Sequence, residues 1–298
     1  MNISKFILGG RNLSSFVNKH IGINTKDIPN MLQKCEVDSL NTLITKVNPN
    51  SEKLSHTIPY IQPQNEYDAT NTLKNIMSKN ISNKSFIGMG YYNTFTPFPI
   101  KRHVLENPLW YSAYTPYQSE ISQGRLESQY NYQTVIKELT GLPISNSSLL
   151  DEASSSSEVI NICYAYHKRE RKTFVCSDKL HPQTLDVIKT RANILNINLI
   201  ITDFTSTSND IFNLNFNDVF GIMFQYPDTY GNINIPHNII QIAKEHDIIT
   251  SCATDLMALT KLISPGELGI DIAFGNSQRF GIPLWYGGPH PAFLSANK

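Results

Sequence analysis

The sequence is poor in charge and in cysteine, and its formal net charge is zero. Asp, Glu, Lys and Arg make up 17% of 298 residues, with 25 cationic side chains against 25 anionic ones. Binding along a phosphate backbone needs clustered positive charge. The densest basic run, His167, Lys168, Arg169, Arg171 and Lys172, is broken by Glu170 and suits a helix end. A nucleic-acid partner is therefore not expected. The four cysteines, Cys35, Cys163, Cys176 and Cys252, form no C-x-x-C pair and have no histidine at metal-ligand spacing. Three lie in apolar stretches, where a thiol acts as a small buried hydrophobe, so neither a metal centre nor a disulfide is expected and a reducing compartment follows. No apolar run has the length of a membrane span. A dinucleotide glycine fingerprint is missing as well: Gly88-Met89-Gly90 lacks the third glycine and runs into Tyr91-Tyr92. Acidic residues are absent before Asp27, which gives Met1 to Lys26 the flavour of a transit peptide, although it is thin in arginine and interrupted by Gly9-Gly10. The reading is a cytoplasmic protein, with the mitochondrial matrix as the alternative.

Hydrophobic residues make up 40% of the chain, enough for a sizeable core. Residues 1–80 read as a helical arm and linker: short helices across Ser14 to Val47, with Ile28, Met31, Leu32 and Cys35 on one face, then a Pro, Ser, Asn and Gln stretch from Pro49 to Gln64. Residues 81–298 read as one large domain. Tyr132, Val135, Ile136 and Leu139 mark an amphipathic helix stopped by Gly141 and Pro143. Strands are predicted at Thr173–Cys176, Leu199–Ile201, Val219–Gln225, from Ile248, and at Ile270–Phe274, with helices at Pro182–Leu195 and Pro236–His246 between them. Repeated strand–helix–strand units argue a mostly parallel sheet with helices on both faces, whose ligands sit beyond the carboxyl ends of the strands.

Three features fall at such ends. Asp255 follows the strand that opens at Ile248, either aimed at the crevice or capping a helix over Leu256–Leu262. His181 precedes Pro182 at the start of a helix. Ser154-Ser155-Ser156-Ser157 follows Asp151-Glu152, as an anion seat or as an ordinary helix cap. With the glycine-rich Gly287-Gly288-Pro289, these meet two needs of a pyridoxal phosphate site, a carboxylate for the ring nitrogen and amides for the phosphate. The third need, a lysine, is unmet. Position 278 is Gln, and no lysine lies between Lys261 and Lys298. Lys261 reads as a surface cation on the helix after Asp255.

An ordered string of motifs then resembles one family. It comprises Phe86-Ile87-Gly88-Met89-Gly90-Tyr91-Tyr92-Asn93-Thr94, Val104-Leu105-Glu106-Asn107-Pro108, Trp110 to Gln118, Glu120 to Glu127, and Ser148 to Ala153. It continues through His181 to Val187, Thr190-Arg191-Ala192, Gln225-Tyr226-Pro227, Pro265 to Gly269, Ser277 to Gly281, and Gly287 to His290. The resemblance is to the P-protein of the glycine cleavage system, the pyridoxal-phosphate-dependent glycine dehydrogenase (decarboxylating), and covers nearly the whole chain.

The resemblance implies an α/β fold: the three-layer, mostly parallel sheet of the aspartate-aminotransferase-like (fold type I) major domain. It also implies that this chain is similar to the first of two such halves, with the Schiff-base lysine on the second. Gln278 then stands where that lysine would be, and Asp255, His181 and Ser154 are vestiges of a cofactor site. The residues expected to line the partner's active site across an interface are Tyr91, Tyr92, Thr94, Tyr114, Tyr117, Gln118, Ser122, Gln123 and Arg125. Arg125 suits either bidentate pairing with a carboxylate or an ion pair within the chain, and the tyrosines equally suit interface packing. The implied partners are a second P-protein half, in a heterodimer or larger assembly, and the lipoylated H-protein. The implied reaction is decarboxylation of glycine with transfer of the aminomethyl group, inactive in this half alone; a non-catalytic relic or scaffold is the alternative. Departures from the family pattern are Phe95 in place of a histidine, the serine run at 154–157, and Trp285, expected to crowd the glycine-rich turn. The opening Phe16 to Gly22 resembles the long single-chain form, and the chain stops at Lys298 before a small C-terminal domain, so a truncated or split gene product is expected.

Overall fold

The computed structural model describes residues 23, 25–48, 64–112, 114–205, 214–285 and 287–297. The readings on Met1 to Gly22, most of Pro49 to Gln64 and part of the polar loop after Thr202 lie outside them. The chain divides into two compact units, Met1–Lys84 and Ser85–Lys298.

The first unit carries helices α1 (Ile28–Lys34), α2 (Leu40–Val47) and α3 (Glu66–Met77). Ser39 and Asn65 cap α2 and α3 by accepting the N–H of Thr42 and Asp68. The apolar face expected on α1 exists as sequence but buries nothing; none of the three helices has a buried residue.

The second unit holds α4 (Phe98–Leu105), α5 (Gln123–Thr140), β1 (Ile144–Ser145), α6 (Glu152–Tyr166), β2 (Thr173–Ser177), α7 (Pro182–Ile194), β3 (Asn198–Thr202), β4 (Val219–Tyr226), α8 (His237–Glu245), β5 (Ile249–Thr254), β6 (Ile272–Asn276) and β7 (Ala292–Ala296). One sheet contains all seven strands, in the order β1-β7-β6-β5-β4-β2-β3. β2 to β6 run parallel, while β7 is antiparallel to both β6 and β1. Alternation along β2 shows the layering. Phe174 and Cys176 join the core beneath α6 and α7, with Val159, Ile160, Cys163, Ile188 and Ala192. Val175 points the other way, to Ile239 and Ala243 of α8. Ile136 of α5 and Ile240 of α8 close that second face over Phe224, Cys252 and Phe293. The register slips between Thr173↔Val219 and Phe174↔Gly221. The extra residue, Phe220, lets it share one core with Met223 despite their odd spacing.

Most expected elements stand within two residues of their predicted ends. α5 stops at Gly141 (φ +67°), which takes the left-handed turn that caps it. The helix predicted over Leu256–Leu262 does not form; only a 3-10 turn at Ala258–Thr260 does. The Asp255 carboxylate accepts the Met257 N–H at 2.8 Å, capping that short turn as it would a helix. Lys261, at the end of that turn, is exposed. Cys163, Cys176 and Cys252 are free and buried, and burial pushes the Cys176 thiol up to about 12.

The stability of this unit rests on the two-sided core. Truncating Phe274→Ala, fully buried beneath α6, is expected to cost about 3–5 kcal/mol in urea unfolding. Tyr67→Ala, on the exposed α3, is expected to stay within about 0.5 kcal/mol of the parent.

Candidate functional site

The carboxyl ends of β2, β4, β5 and β6 open on a cavity of 370 Å³, where a parallel α/β sheet holds its ligands. Glu152 comes from the first turn of α6, His181 from the start of α7, and Gln225 and Asp228 from the end of β4 and its following loop. Thr254 ends β5 and Asp255 follows it, Asn276 ends β6 and Arg279 follows it, and Gly88 to Gly90 with Tyr92 line the cavity as well.

Each polar group in this wall has an assignable role. Asp255 pairs through Oδ2 with Arg279 at 3.1 Å, and the guanidinium lies 4.4 Å from the centre of the Tyr92 ring. His181 is locked as a neutral ring. The Thr229 hydroxyl donates to the Lys179 carbonyl, so at 3.1 Å it must accept from Nδ1–H of His181; Nε2 then accepts from the Gln225 amide. Burial lowers the pKa of His181, partly opposed by the Asp255 charge. Glu152 accepts from Asn276 at 3.1 Å and, half-buried, faces the cavity. Desolvation, reinforced by the nearby charges of Asp255 and Asp151, pushes its carboxyl up to about 7.

Tested against pyridoxal phosphate, the residues do not fit. Among the described residues no lysine lines the cavity. Gln278, fully buried, donates its amide to the carbonyls of Tyr92 at 2.8 Å and Ile282 at 2.7 Å, a tie between two segments. Asp255 already holds a cation. At the start of α6 the Asp151 carboxylate takes the Ser154 N–H at 2.7 Å. Ser155, Ser156 and Ser157 donate their hydroxyls to the carbonyls of Phe293, Ala153 and Ser154. The expected anion seat is therefore filled by the chain's own groups and fronted by two carboxyls, a poor place for a phosphate.

The residues expected at an interface separate into three groups. Tyr92 belongs to the cavity; Tyr91 packs edge-on against His290 at 4.9 Å, and Thr94 donates to the Ile282 carbonyl at 2.8 Å. Tyr114 and Tyr117 are exposed and stack edge-to-face at 6.2 Å. Gln118, Ser122 and Gln123 form the turn into α5. Among the described residues Arg125 forms no ion pair within the chain; its guanidinium donates to the carbonyls of Trp110, Ser112 and Tyr114, pinning that loop. Trp285 is exposed, with Lys101 Nζ 6.0 Å from its ring centre, and does not crowd the turn. Sequence reasoning missed Glu152, Thr254, Asp228 and Arg279. Arg279 was legible as the neighbour of Gln278; Glu152 was hidden behind Asp151, the better cap.

Comparison with known proteins places this geometry. Residues 18–298 match the family model described as the glycine cleavage system P-protein. The chain is 43% identical over 283 residues to glycine dehydrogenase (decarboxylating) 2 of Colwellia psychrerythraea, and 44% identical over 286 residues to glycine dehydrogenase (decarboxylating) of Nostoc punctiforme. Those alignments cover 95% and 96% of this chain but 29% of each relative. It also superposes on a crystal structure of glycine decarboxylase (P-protein) in inhibitor-bound form, with a TM-score of 0.79 and 27% identity over 94% of this chain and 63% of that one.

The raised carboxyl of Glu152 sets a pH window. Its folded pKa, about 7, lies above the ordinary carboxylate value, so the folded state holds a proton that the unfolded state gives up. Its contribution to stability is full below the unfolded value and is lost as pH rises to about 7. Glu152→Gln is expected to remove that slope and to be more stable than the parent by up to about 3 kcal/mol at about pH 8, measured by urea unfolding across the window. Arg125→Ala is expected to release the 110–114 loop, read as about tenfold or greater acceleration of its amide exchange with the core unchanged.

Proposed function

Because the chain belongs to the glycine cleavage system P-protein family, we propose that it is the non-lysine half of glycine dehydrogenase (decarboxylating). In this reading it works beside a lysine-bearing half that carries the pyridoxal phosphate. The assembled enzyme decarboxylates glycine and passes the aminomethyl group to the lipoyl arm of H-protein. The observation that carries the proposal is Gln278: the position at the end of β6 is a fully buried, doubly bonded amide in a fold shared with pyridoxal phosphate enzymes. A group tied to two carbonyls supplies no nucleophile, so the reacting atoms belong on the other half.

The contribution of this half is shape. Tyr92 and Thr94 hold the 88–94 segment to the turn after β6, and the Arg125 clamp presents Tyr114 and Tyr117 outward. Around them Phe86, Leu109, Tyr117 and Ile121 are each at least 79% exposed. Apolar exposure of this extent in one stretch of chain marks an interaction surface. The relatives' additional length supplies an occupant for it, the second half. Among the described residues no helix is long and apolar enough to cross a membrane.

The test is glycine-dependent release of carbon dioxide with lipoylated H-protein and pyridoxal phosphate, with and without a lysine-bearing half. Turnover is expected only in the mixture, with Tyr114→Ala and Arg125→Ala reducing it by about tenfold or more. Turnover by this chain alone would overturn the proposal. A complex that forms and stays inactive would replace it with a scaffold role.

A further inference from the structure

We propose that the cavity at the strand ends is a ligand site in its own right for a small primary ammonium ion, either a simple amine or the amino end of an amino acid, received by Glu152 and Thr254. The inference goes beyond the reading above, because it concerns this chain's own cavity and needs no second half.

Two independent observations meet there. The first is the state of the three carboxylates in the wall. Asp255 is satisfied at both oxygens, by the Met257 N–H and by Arg279. Asp228 is satisfied by the N–H groups of Tyr230 and Asn232 and by the Asn232 amide. Glu152 has only Oε2 engaged, by Asn276, and no described residue bonds its Oε1. The second is Thr254. Its side chain lines the same cavity, is 4% exposed, and its hydroxyl has no partner among the described residues. A buried hydroxyl without a partner forfeits a hydrogen bond, and a ligand that supplies one is favoured there.

The sign of the ligand follows from charge. Arg279 is the one cationic side chain lining the cavity among the described residues, and Asp255 already neutralises it; His181 is held neutral by its two bonds. Asp228 adds a negative charge to the wall, with the Lys179 cation acting on it from outside the cavity lining, and Asp151 stands behind Glu152 at the start of α6. An anion meets net repulsion. An ammonium group brings several N–H donors, which match Oε1 of Glu152 and Oγ1 of Thr254, and its charge is paired once Glu152 ionises. The groups facing Glu152 are Asp151 on its own helix, Asp255 and the Cys252 thiol from β5, Arg279 after β6 and His181 from α7. Burial first, then the charges of Asp255 and Asp151, push the Glu152 carboxyl up to about 7, so a bound cation favours its ionised form, and affinity rises with pH through that range.

The test titrates the full 298-residue chain calorimetrically with methylamine and with glycine. Inorganic phosphate and pyridoxal phosphate serve as anionic controls, at about pH 6 and about pH 8 and in two buffers of different protonation enthalpy. Methylamine is expected to bind several-fold tighter at the higher pH with release of up to about one proton, and neither anion to bind. Glycine binding more tightly than methylamine would add recognition of its carboxylate by Arg279; equal binding would confine recognition to the amine. Glu152→Gln is expected to weaken binding by about tenfold or more, and Thr254→Val by several-fold, with both variants folded by circular dichroism. Three results would overturn the proposal: no binding of either amine to the folded chain, binding of an anion in their place, or unchanged affinity in Glu152→Gln. None of these readouts involves turnover, so a failure here leaves the two-half enzyme untouched, and failure of that enzyme leaves this site standing.

Discussion

The architecture of the strand-end region hangs on the Gln278 amide. Fully buried at the mouth of β6, it is held by the carbonyls of Tyr92 and Ile282, residues 186 and 4 positions away. A neutral amide satisfies these acceptors without bringing a charge into the interior, whereas a cation there would need a counter-charge that neither carbonyl supplies. The tie fixes the 88–94 segment over the strand ends. It sets Gly90 against the His181 ring, where even an added Cβ would lie 3.5 Å from Nε2. It also brings Tyr92 over Arg279, and so completes the Asp255–Arg279–Tyr92 stack. The cavity wall is one consequence of that contact.

The fold was legible in the sequence because its determinants are local. Runs such as Thr173–Cys176 and Val219–Gln225 are bounded by polar turns, and helices such as Pro182–Ile194 carry their own start signals. The deviations are also instructive. β6 begins at Ile272, two residues later than its apolar run, because the Asp271 carboxylate accepts both the N–H and the hydroxyl of Thr250. After Asp255 the chain makes only a 3-10 turn at Ala258–Thr260 where the pattern reads a helix. At β6 one side-chain bond outweighs pattern, and pattern cannot display it.

The candidate site was only partly legible. Strand-end logic found Asp255 and His181, which do meet in one cavity. It did not find Glu152 or Arg279, whose roles depend on distance across the sheet: Glu152 on Asn276, 124 residues on, and Arg279 on Asp255, 24 residues back. Arg125 shows a contact that sequence could not display. Three backbone carbonyls in one loop take its donors within this chain. A guanidinium offers five donors, and an irregular loop offers carbonyls that no helix or strand has claimed.

Together these residues oppose each group that a pyridoxal phosphate site would have to hold. A phosphate needs the amides at the start of α6, and there the Asp151 carboxylate has taken one while Glu152 fronts the rest. A pyridinium needs a free carboxylate, and Arg279 occupies it. Replacing Gln278 alone with lysine would therefore not create a cofactor site, since the new cation would enter a wall where Asp255 is already paired with Arg279. What is left over is a carboxyl with a raised pKa and a hydroxyl without a partner among the described residues, in a pocket lined by three carboxylates and one guanidinium. That inventory is complementary to an amine.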